Sequence, residues 1–257
     1  MSRFARAKNV HGQTVEGRRA VLESLRAGRN IQRLIMVECI DLGTQLREII
    51  FLADKAGIQV DAVSRRDIDR QSHTKKHQGV IAVVPDPRYH DSEDLIDAAR
   101  GQGNAPLLVM LDGVQDPHNL GAIARTADAA GAHGLIIPER RAAGITPGSV
   151  RASAGALEHV KVSRVINLNR TIEVFKDRGL MIIGLDVDGE TEYTEVDLKG
   201  PVLLIVGSEG RGLSRLVREN CDQIVSIPMS GQLSSLNASV SVAIVLYEAF
   251  RQRSNAE

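Results

Sequence analysis

Short apolar runs alternate with amphipathic stretches along the chain, and the period of the pattern changes from one to the next. In residues 17–28, GRRAVLESLRAG, apolar positions recur at helical spacing and a glycine closes the run; residues 46–57, LREIIFLADKAG, repeat the pattern. The segments IQRLIMVE (31–38), IQVDAVS (58–64) and GVIAVV (79–84) read as strands. Residues 1–84 are therefore expected to form a small α/β domain, with MSRFARAK (1–8) as a disordered basic arm. Residues 85–105 carry prolines, many charges and a Gly-Gln-Gly, and are expected to be a linker with one short helix.

From residue 106 the alternation resumes. Strands are expected at LLVMLD (107–112), GLIIP (134–138), VKVS (160–163), LMIIGLD (180–186), PVLLIVG (201–207) and QIVSIPM (223–229). Helices are expected at NLGAIARTADAAG (119–131), SVRASAGALEHV (149–160), RTIEVFKDRG (170–179), LSRLVREN (213–220) and LNASVSVAIVLYEAFRQR (236–253). Continuous apolar strands joined by helices predict a parallel sheet covered on both faces. The final helix is apolar nearly all round, which points to a core or to a subunit interface. No internal repeat is visible.

Composition narrows the function. The sequence is 43% hydrophobic and 25% charged, ordinary for a globular chain. It lacks a membrane-length apolar run and an apolar leader, so a cytoplasmic protein with no membrane partner is expected. Cys39 and Cys221 are isolated, without metal spacing, which suits a reducing compartment. There is no Trp and only 3% aromatic residues, which argues against base-stacking platforms. The formal net charge is zero, yet residues 1–85 hold 15 Lys and Arg against 9 Asp and Glu, a surplus of six that the remainder cancels. Such asymmetry fits an anionic partner at one end or a solvated surface. His73 and His77 stand four apart, a zinc spacing on a helix, but no further ligands lie nearby, so a solvated or RNA-facing role is expected.

Three strand ends carry unusual loops, where parallel sheets bind ligands. In DGVQDPHNLG (112–121), Asp116-Pro117 or Asn119 can start a helix. Within that helix Arg125 has Gly121, Ala122 and Ala129 as neighbours, leaving a shallow groove for a ligand or another chain; an ion pair with Asp128 is the simpler alternative. In LLIVGSEGRGLS (203–214) the spacing G-x-x-G-x-G matches neither phosphate-loop nor dinucleotide patterns, leaving a ligand loop or a tight turn. In the third loop, IPMSGQLSSLNAS (227–239), Ser235 or Asn237 can cap the final helix.

Together these loops resemble the three motifs, in order and spacing, of the SpoU (TrmH) family of the SPOUT superfamily, the knotted RNA ribose methyltransferases: DPHNLGAIARTADAAG, IVGSEGRGLS and IPMSGQLSSLNASVSVAI. HGQTVEGRRAVLESLRAG and KKHQGVIAVV are similar to the ribosomal-protein-like substrate-binding domain of the family's rRNA-modifying branch, its large-subunit (23S) rRNA guanosine-2'-O-methyltransferase type above all. The resemblance implies a SPOUT domain over 106–257 with a deep trefoil knot, and a homodimer joined through the final helix. It implies S-adenosylmethionine as cofactor, no metal, and RNA as partner. The cofactor would lie against Ile205, Val206, Gly207, Glu209, Gly210, Ile227, Met229, Ser235, Leu236 and Asn237. Arg125 would ready the ribose 2'-hydroxyl at the partner subunit's cofactor, Asn119 and Ser235 would hold ribose or phosphate, Glu209 would orient the loop or Arg125, and Asn237 would fix the cofactor loop. Arg18, Arg19, Arg65, Arg66, Lys75 and Lys76 would contact RNA phosphates. Three other readings stand beside it: a nicotinamide-dependent oxidoreductase, which lacks the glycine fingerprint and acidic ribose ligand; a non-catalytic RNA-binding assembly factor; and the same chemistry on tRNA or on an rRNA adenosine.

Overall fold

The computed structural model describes residues 13–26, 28–38, 43–73, 75–232 and 234–254; the basic arm at 1–8 and Cys39 lie outside them. The chain divides after Pro87 into two compact units. The first runs β1 (Gln13–Glu16), α1 (Arg18–Arg26), β2 (Arg33–Val37), α2 (Thr44–Lys55), β3 (Gln59–Val63), α3 (Arg65–Gln71) and β4 (Val80–Val84). Its sheet has the order β1-β4-β2-β3, with only β2 and β3 parallel. Alternate residues of β4 face opposite ways. Val80, Ala82 and Val84 pack with Leu22 of α1 and Ile49 of α2, whereas Ile81 and Val83 pack with Ile68 of α3. The sequence pattern missed β1, four residues long, and α3, which buries a single side chain, Ile68.

The second unit begins at Arg88, so it includes most of the segment read as a linker. There α4 (Ser92–Gly101) starts on Asp91, whose carboxylate accepts the Glu93 N–H, and has acidic residues in its first turn and Arg100 in its last. Its Leu95, Ile96 and Ala99 are fully buried, which makes it a covering helix of the second unit. The unit continues with β5 (Leu107–Asp112), α5 (Pro117–Ala129), β6 (Gly134–Pro138), α6 (Pro147–Ala152), β7 (Val162–Val165), α7 (Leu168–Asp177), β8 (Met181–Leu185), β9 (Thr191–Glu192), β10 (Val202–Gly207), α8 (Arg215–Glu219), β11 (Gln223–Ser226) and α9 (Ala238–Ser254). All seven strands are parallel, in the order β7-β6-β5-β10-β8-β11-β9. One face packs Val109, Leu135 and Leu204 against α5 and α9; the other packs Leu108, Ile136 and Leu203 against α4 and α7 around the fully buried Phe175. Burial on both faces is why these strands are unbroken apolar runs.

The helix expected at 149–160 is two pieces. Thr146 and Ser149 form a reciprocal capping box that starts α6, and the helix stops where Ala154 (φ 50°) and Gly155 (φ 97°) turn left-handed, ahead of a short 3-10 turn at Ala156–Glu158. The interhelical packing is tight. A Cβ on Gly121 of α5 would stand 2.4 Å from the Ser149 carbonyl and 2.5 Å from the Ala152 methyl. The groove expected beside Arg125 is therefore filled on the Gly121 side by α6. Of α9, Val242, Val245, Leu246 and Ala249 are buried, but Val240, Tyr247 and Phe250 are 46–51% exposed along one stripe.

His133, just before β6, accepts the Leu107 N–H on Nδ1 (3.1 Å) and so fixes the start of β5. Burial first, then the positive charge of Arg253, holds its pKa below the usual 6.5. The charged ring is thus disfavoured in the fold. Its contribution to stability is complete above the unfolded value and is lost as pH falls through about 6.5 toward the lower folded value. Urea midpoints measured from pH 7.5 to 5 should fall with acid more steeply for the wild type than for His133→Asn; parallel curves would show that His133 is not the group responsible.

Candidate active site

Asp112 ends β5, and the turn that follows carries the chain to α5. Asp116 is the N-cap, its carboxylate accepting the His118 N–H (2.8 Å), and Pro117 occupies the first turn. Capping by Asp116 leaves Asn119 free to point elsewhere, and its buried side chain (8% exposed) does so: Nδ2 donates to Glu209 Oε1 at 2.9 Å. Glu209 sits in the turn after β10. Asn237 precedes α9 and caps it, its Oδ1 accepting the Ser239 N–H (2.9 Å) and hydroxyl (2.6 Å). Its Nδ2 donates to Asn119 Oδ1 at 3.0 Å and also to Glu209 Oε1. Three loops far apart in sequence are thus joined by two carboxamides and one carboxylate.

The turn after β10 closes on itself: the Ser208 and Gly212 N–H groups each donate to the other's carbonyl (3.2 and 3.0 Å). Gly210 and Gly212 adopt positive φ (79° and 64°). Gly207 is required for another reason. A Cβ there would lie 2.0 Å from the Gly212 carbonyl carbon and 2.4 Å from the Leu213 nitrogen, inside backbone. Asp112 Oδ2 accepts the Ser214 N–H at 2.6 Å, and Asp186 Oδ2 accepts the Leu213 N–H at 3.3 Å, so carboxylates at the ends of β5 and β8 anchor the far leg of the turn.

Beside this turn lies a cavity of about 340 Å³ at the carboxyl ends of β8, β10 and β11. That is within the range of ligand sites, ~300–1,000 Å³. Its walls are Leu185–Asp188, Val206–Gly212, Ile227, Met229 and residues 234–241 in part. Apolar Leu185, Val206, Ile227 and Leu236 and acidic Asp186, Asp188 and Glu209 line it together, and Arg211 is its single basic side chain among the described residues. Cys221 lies behind this region and packs against Gly184; burial, then Asp222, pushes its thiol up to about 12, which removes it as a nucleophile.

Most of the expected cofactor residues line this cavity: Val206, Gly207, Glu209, Gly210, Ile227, Met229, Ser235 and Leu236. Ile205 is not among the wall residues. Its side chain is fully buried on the opposite face of β10 with Leu108 and Met110, because successive strand residues alternate sides. Asn237 stands in the amide network rather than in the cavity wall, and it, not Ser235, caps α9. Arg125 is exposed on α5 and is not a wall residue; its guanidinium makes no hydrogen bond or ion pair among the described residues, so the Asp128 pair is not formed. Asp112 and Asp186 were not singled out in the sequence, since a lone aspartate after a strand carries no pattern.

In the first unit, Arg19 is exposed and pairs with Glu23, while Arg18 Nε donates to the Gln78 carbonyl (3.1 Å). Arg65 and Arg66 are exposed at the start of α3, and Lys75 and Lys76 are exposed on the loop at 72–78. That loop is held: Ser72 Oγ and the His73 N–H both donate to Glu16 (2.7 Å each), and Lys75 adopts φ 55°. His73 and His77 do not share a helix. His77 is buried, Nε2 bound to Asp69 (2.8 Å) and Nδ1 accepting the Gly79 N–H (3.0 Å), so it is neither solvated nor RNA-facing as expected.

The profile of the SpoU rRNA Methylase family matches residues 106–247, and that of the RNA 2'-O ribose methyltransferase substrate binding domain matches 14–90. The chain is 44% identical over 239 residues to a Bacillus subtilis protein named as a TrmH-family tRNA/rRNA methyltransferase, YacO, covering 93% of this chain and 95% of that one. Over 94% of its length it superimposes on the SpoU methyltransferase AviRb from Streptomyces viridochromogenes, solved in complex with AdoMet, with TM-score 0.67, 32% identity and 90% of that chain covered. An AdoMet-bound rRNA methyltransferase from Sinorhizobium meliloti gives TM-score 0.64 at 28% identity, over 93% of this chain and 87% of the other.

Replacing Gly207 by Ala should force the turn apart, at a cost of about 1–3 kcal/mol for an overpacked site. Hydrogen exchange at the amides of residues 208–214 should accelerate well beyond that at β5. Unchanged protection of those amides would mean that the turn tolerates the methyl.

Proposed function

Because this chain belongs to the SpoU rRNA methylase family and is therefore an RNA methyltransferase, we propose that it methylates a ribose 2'-hydroxyl, using S-adenosylmethionine, on a guanosine of large-subunit rRNA. The observation that carries the reading is the meeting of Asn119, Glu209 and Asn237, one residue from each of three loops, at the rim of a cavity walled by a glycine turn. The cavity suits such a cofactor. Leu185, Val206, Ile227 and Leu236 offer apolar sides to a purine, the turn offers backbone polar groups to its edge, and Asp188 and Glu209 favour a ligand with cationic groups. Bound there, the cofactor supplies a methyl group already activated on a sulfonium, so no metal is required.

The chain's own task is to bring a ribose oxygen to that carbon and ease the loss of its proton. Arg125 does not act as a base, because a guanidinium has no lone pair to offer. Its exposed, unpartnered guanidinium instead grips the neighbouring phosphate and stabilises the oxygen as negative charge develops, while the proton passes to water or Glu209. Arg125 is not a wall of its own cavity, and the reading places it at the cavity of a second subunit. The exposed stripe of Val240, Tyr247 and Phe250 supports such a homodimer, since an apolar stripe of this kind is what a subunit interface would cover. Asn119 and Ser235 hold ribose or phosphate, and Asn237 keeps the third loop in place. The trefoil knot of the family belongs to the same reading.

Residues 1–84 dock the RNA. Arg65 and Arg66 stand at the positive end of the α3 dipole, where cations weaken a helix, which argues that phosphate contact rather than helix stability accounts for them. The held loop with Lys75 and Lys76 adds a fixed cationic edge, with Arg18 and Arg19 at the start of α1. The rRNA assignment draws on the substrate-binding domain.

The test is transfer of tritiated methyl groups to rRNA from a strain lacking the enzyme, with the modified ribose mapped. Methylation of tRNA alone, or of a base, would overturn the proposal. In this assay Arg125→Ala should lower turnover by ~100-fold or more while S-adenosylmethionine affinity, read by calorimetry, stays within about threefold. Equal loss of both would make its role structural. Phe250→Glu should convert the protein to a monomer by light scattering and abolish transfer; an active monomer would refute the shared site.

A further inference from the structure

The Asp186 carboxylate stands between strand and turn with each of its contacts defined. It follows β8, its own N–H donating to the Val225 carbonyl (3.0 Å), and its side chain is only 10% exposed. Oδ2 accepts the Leu213 N–H at 3.3 Å and faces Arg218 Nη1 at 3.2 Å, while Oδ1 accepts the Asp188 N–H at 3.3 Å. Arg218 closes the circuit from α8 by donating Nη2 to the Asp188 carbonyl (3.3 Å). Gly212 lies directly against the carboxylate: a Cβ there would be 2.7 Å from Oδ2. The same residues, 186, 188 and 212, line the cavity.

We propose that Asp186, held by Arg218, is a positioning residue that sets the distance between the β8 end and the glycine turn, and thereby the width of the cofactor cavity. Glu209 is held on the opposite leg of the turn by Asn119 and Asn237, so each leg has its own anchor. Without the carboxylate, the Leu213 N–H and the Arg218 guanidinium lose their shared acceptor, and of the side-chain bonds that anchor the turn's far leg the one from Ser214 to Asp112 remains. The turn then samples wider positions, and a ligand must close it at a cost in affinity. No reacting atom lies on Asp186, so turnover at saturating cofactor is preserved.

The inference rests on the S-adenosylmethionine reading, and calorimetry with that cofactor separates the two. If the wild type does not bind, the reading fails. If it does, Asp186→Ala should weaken binding by about 10-fold or more, the size of one lost charge-assisted hydrogen bond. Turnover at saturation should stay within about threefold. Asp186→Asn, which keeps an acceptor for the Leu213 N–H, should recover most of the affinity. Wild-type affinity in Asp186→Ala overturns the proposal; so does equal loss in the Ala and Asn variants, which would mean that the negative charge itself touches the ligand. Should Asp186→Ala fail to fold, Arg218→Ala, on a half-exposed side chain, must show the same selective loss of affinity, and unchanged binding in it overturns the proposal.

Discussion

Everything at the carboxyl end of the sheet depends on one compact polar junction, the two carboxamides of Asn119 and Asn237 closed on the carboxylate of Glu209. Each amide has a donor and an acceptor, and both ends of each are used: Asn119 gives to Glu209 and receives from Asn237, and Asn237 also caps α9. Asn119 is the buried member, and its amide left without a partner would cost about 1–3 kcal/mol, which favours this meeting of the three loops although Asn237 and Glu209 are exposed. That constraint converts three separate strand ends into one rim. The junction spans 118 residues of sequence between Asn119 and Asn237, and it holds the rim through directed hydrogen bonds, leaving apolar burial to hold the sheet beneath it.

Around that junction the same device recurs. Aspartates at the ends of β5 and β8 accept backbone N–H groups of the glycine turn, and Asp116 accepts one at the start of α5. Parallel strands end with backbone groups that no ladder satisfies, and short carboxylates satisfy them without occupying much space. Glycine serves the complementary need at Gly207 and Gly121, where backbone and helix come closer than any side chain allows. Rigidity and close approach are thus both written into small residues at strand ends.

Strands β5, β6, β8 and β10 are readable because both faces are buried, which leaves few polar positions to blur the run. The same feature leaves open which side of β10 faces the cavity, and the structure puts the Ile205 side chain in the opposite core. Short elements escaped for want of pattern: β1 has one buried residue, α3 has Ile68 alone, and β9 is two residues long. The break after α6 depends on Ala154 at φ 50°, which no local preference announces. The short helix expected within residues 85–105 is α4, and its charges, which outnumber Leu95, Ile96 and Ala99, hide that those three pack it into the second unit. At the site, the residues of the junction were legible from the motif resemblance. Asp112 and Asp186 act through single backbone bonds across the sheet, an arrangement that only the pairing of β5, β8 and β10 creates.

The position of β10 has a consequence for how the molecule is made. It pairs with β5 on one side and β8 on the other, through registers such as Leu204 with Val109 and with Ile183. As the chain emerges from the ribosome, β5 and β8 are present well before the strand that separates them. Until residues 202–207 arrive, each offers an unpaired apolar edge, and joining them directly would give a sheet with the wrong neighbours. The nascent protein must therefore hold a slot open for a latecomer, and premature joining of β5 to β8 is a specific route to misassembly.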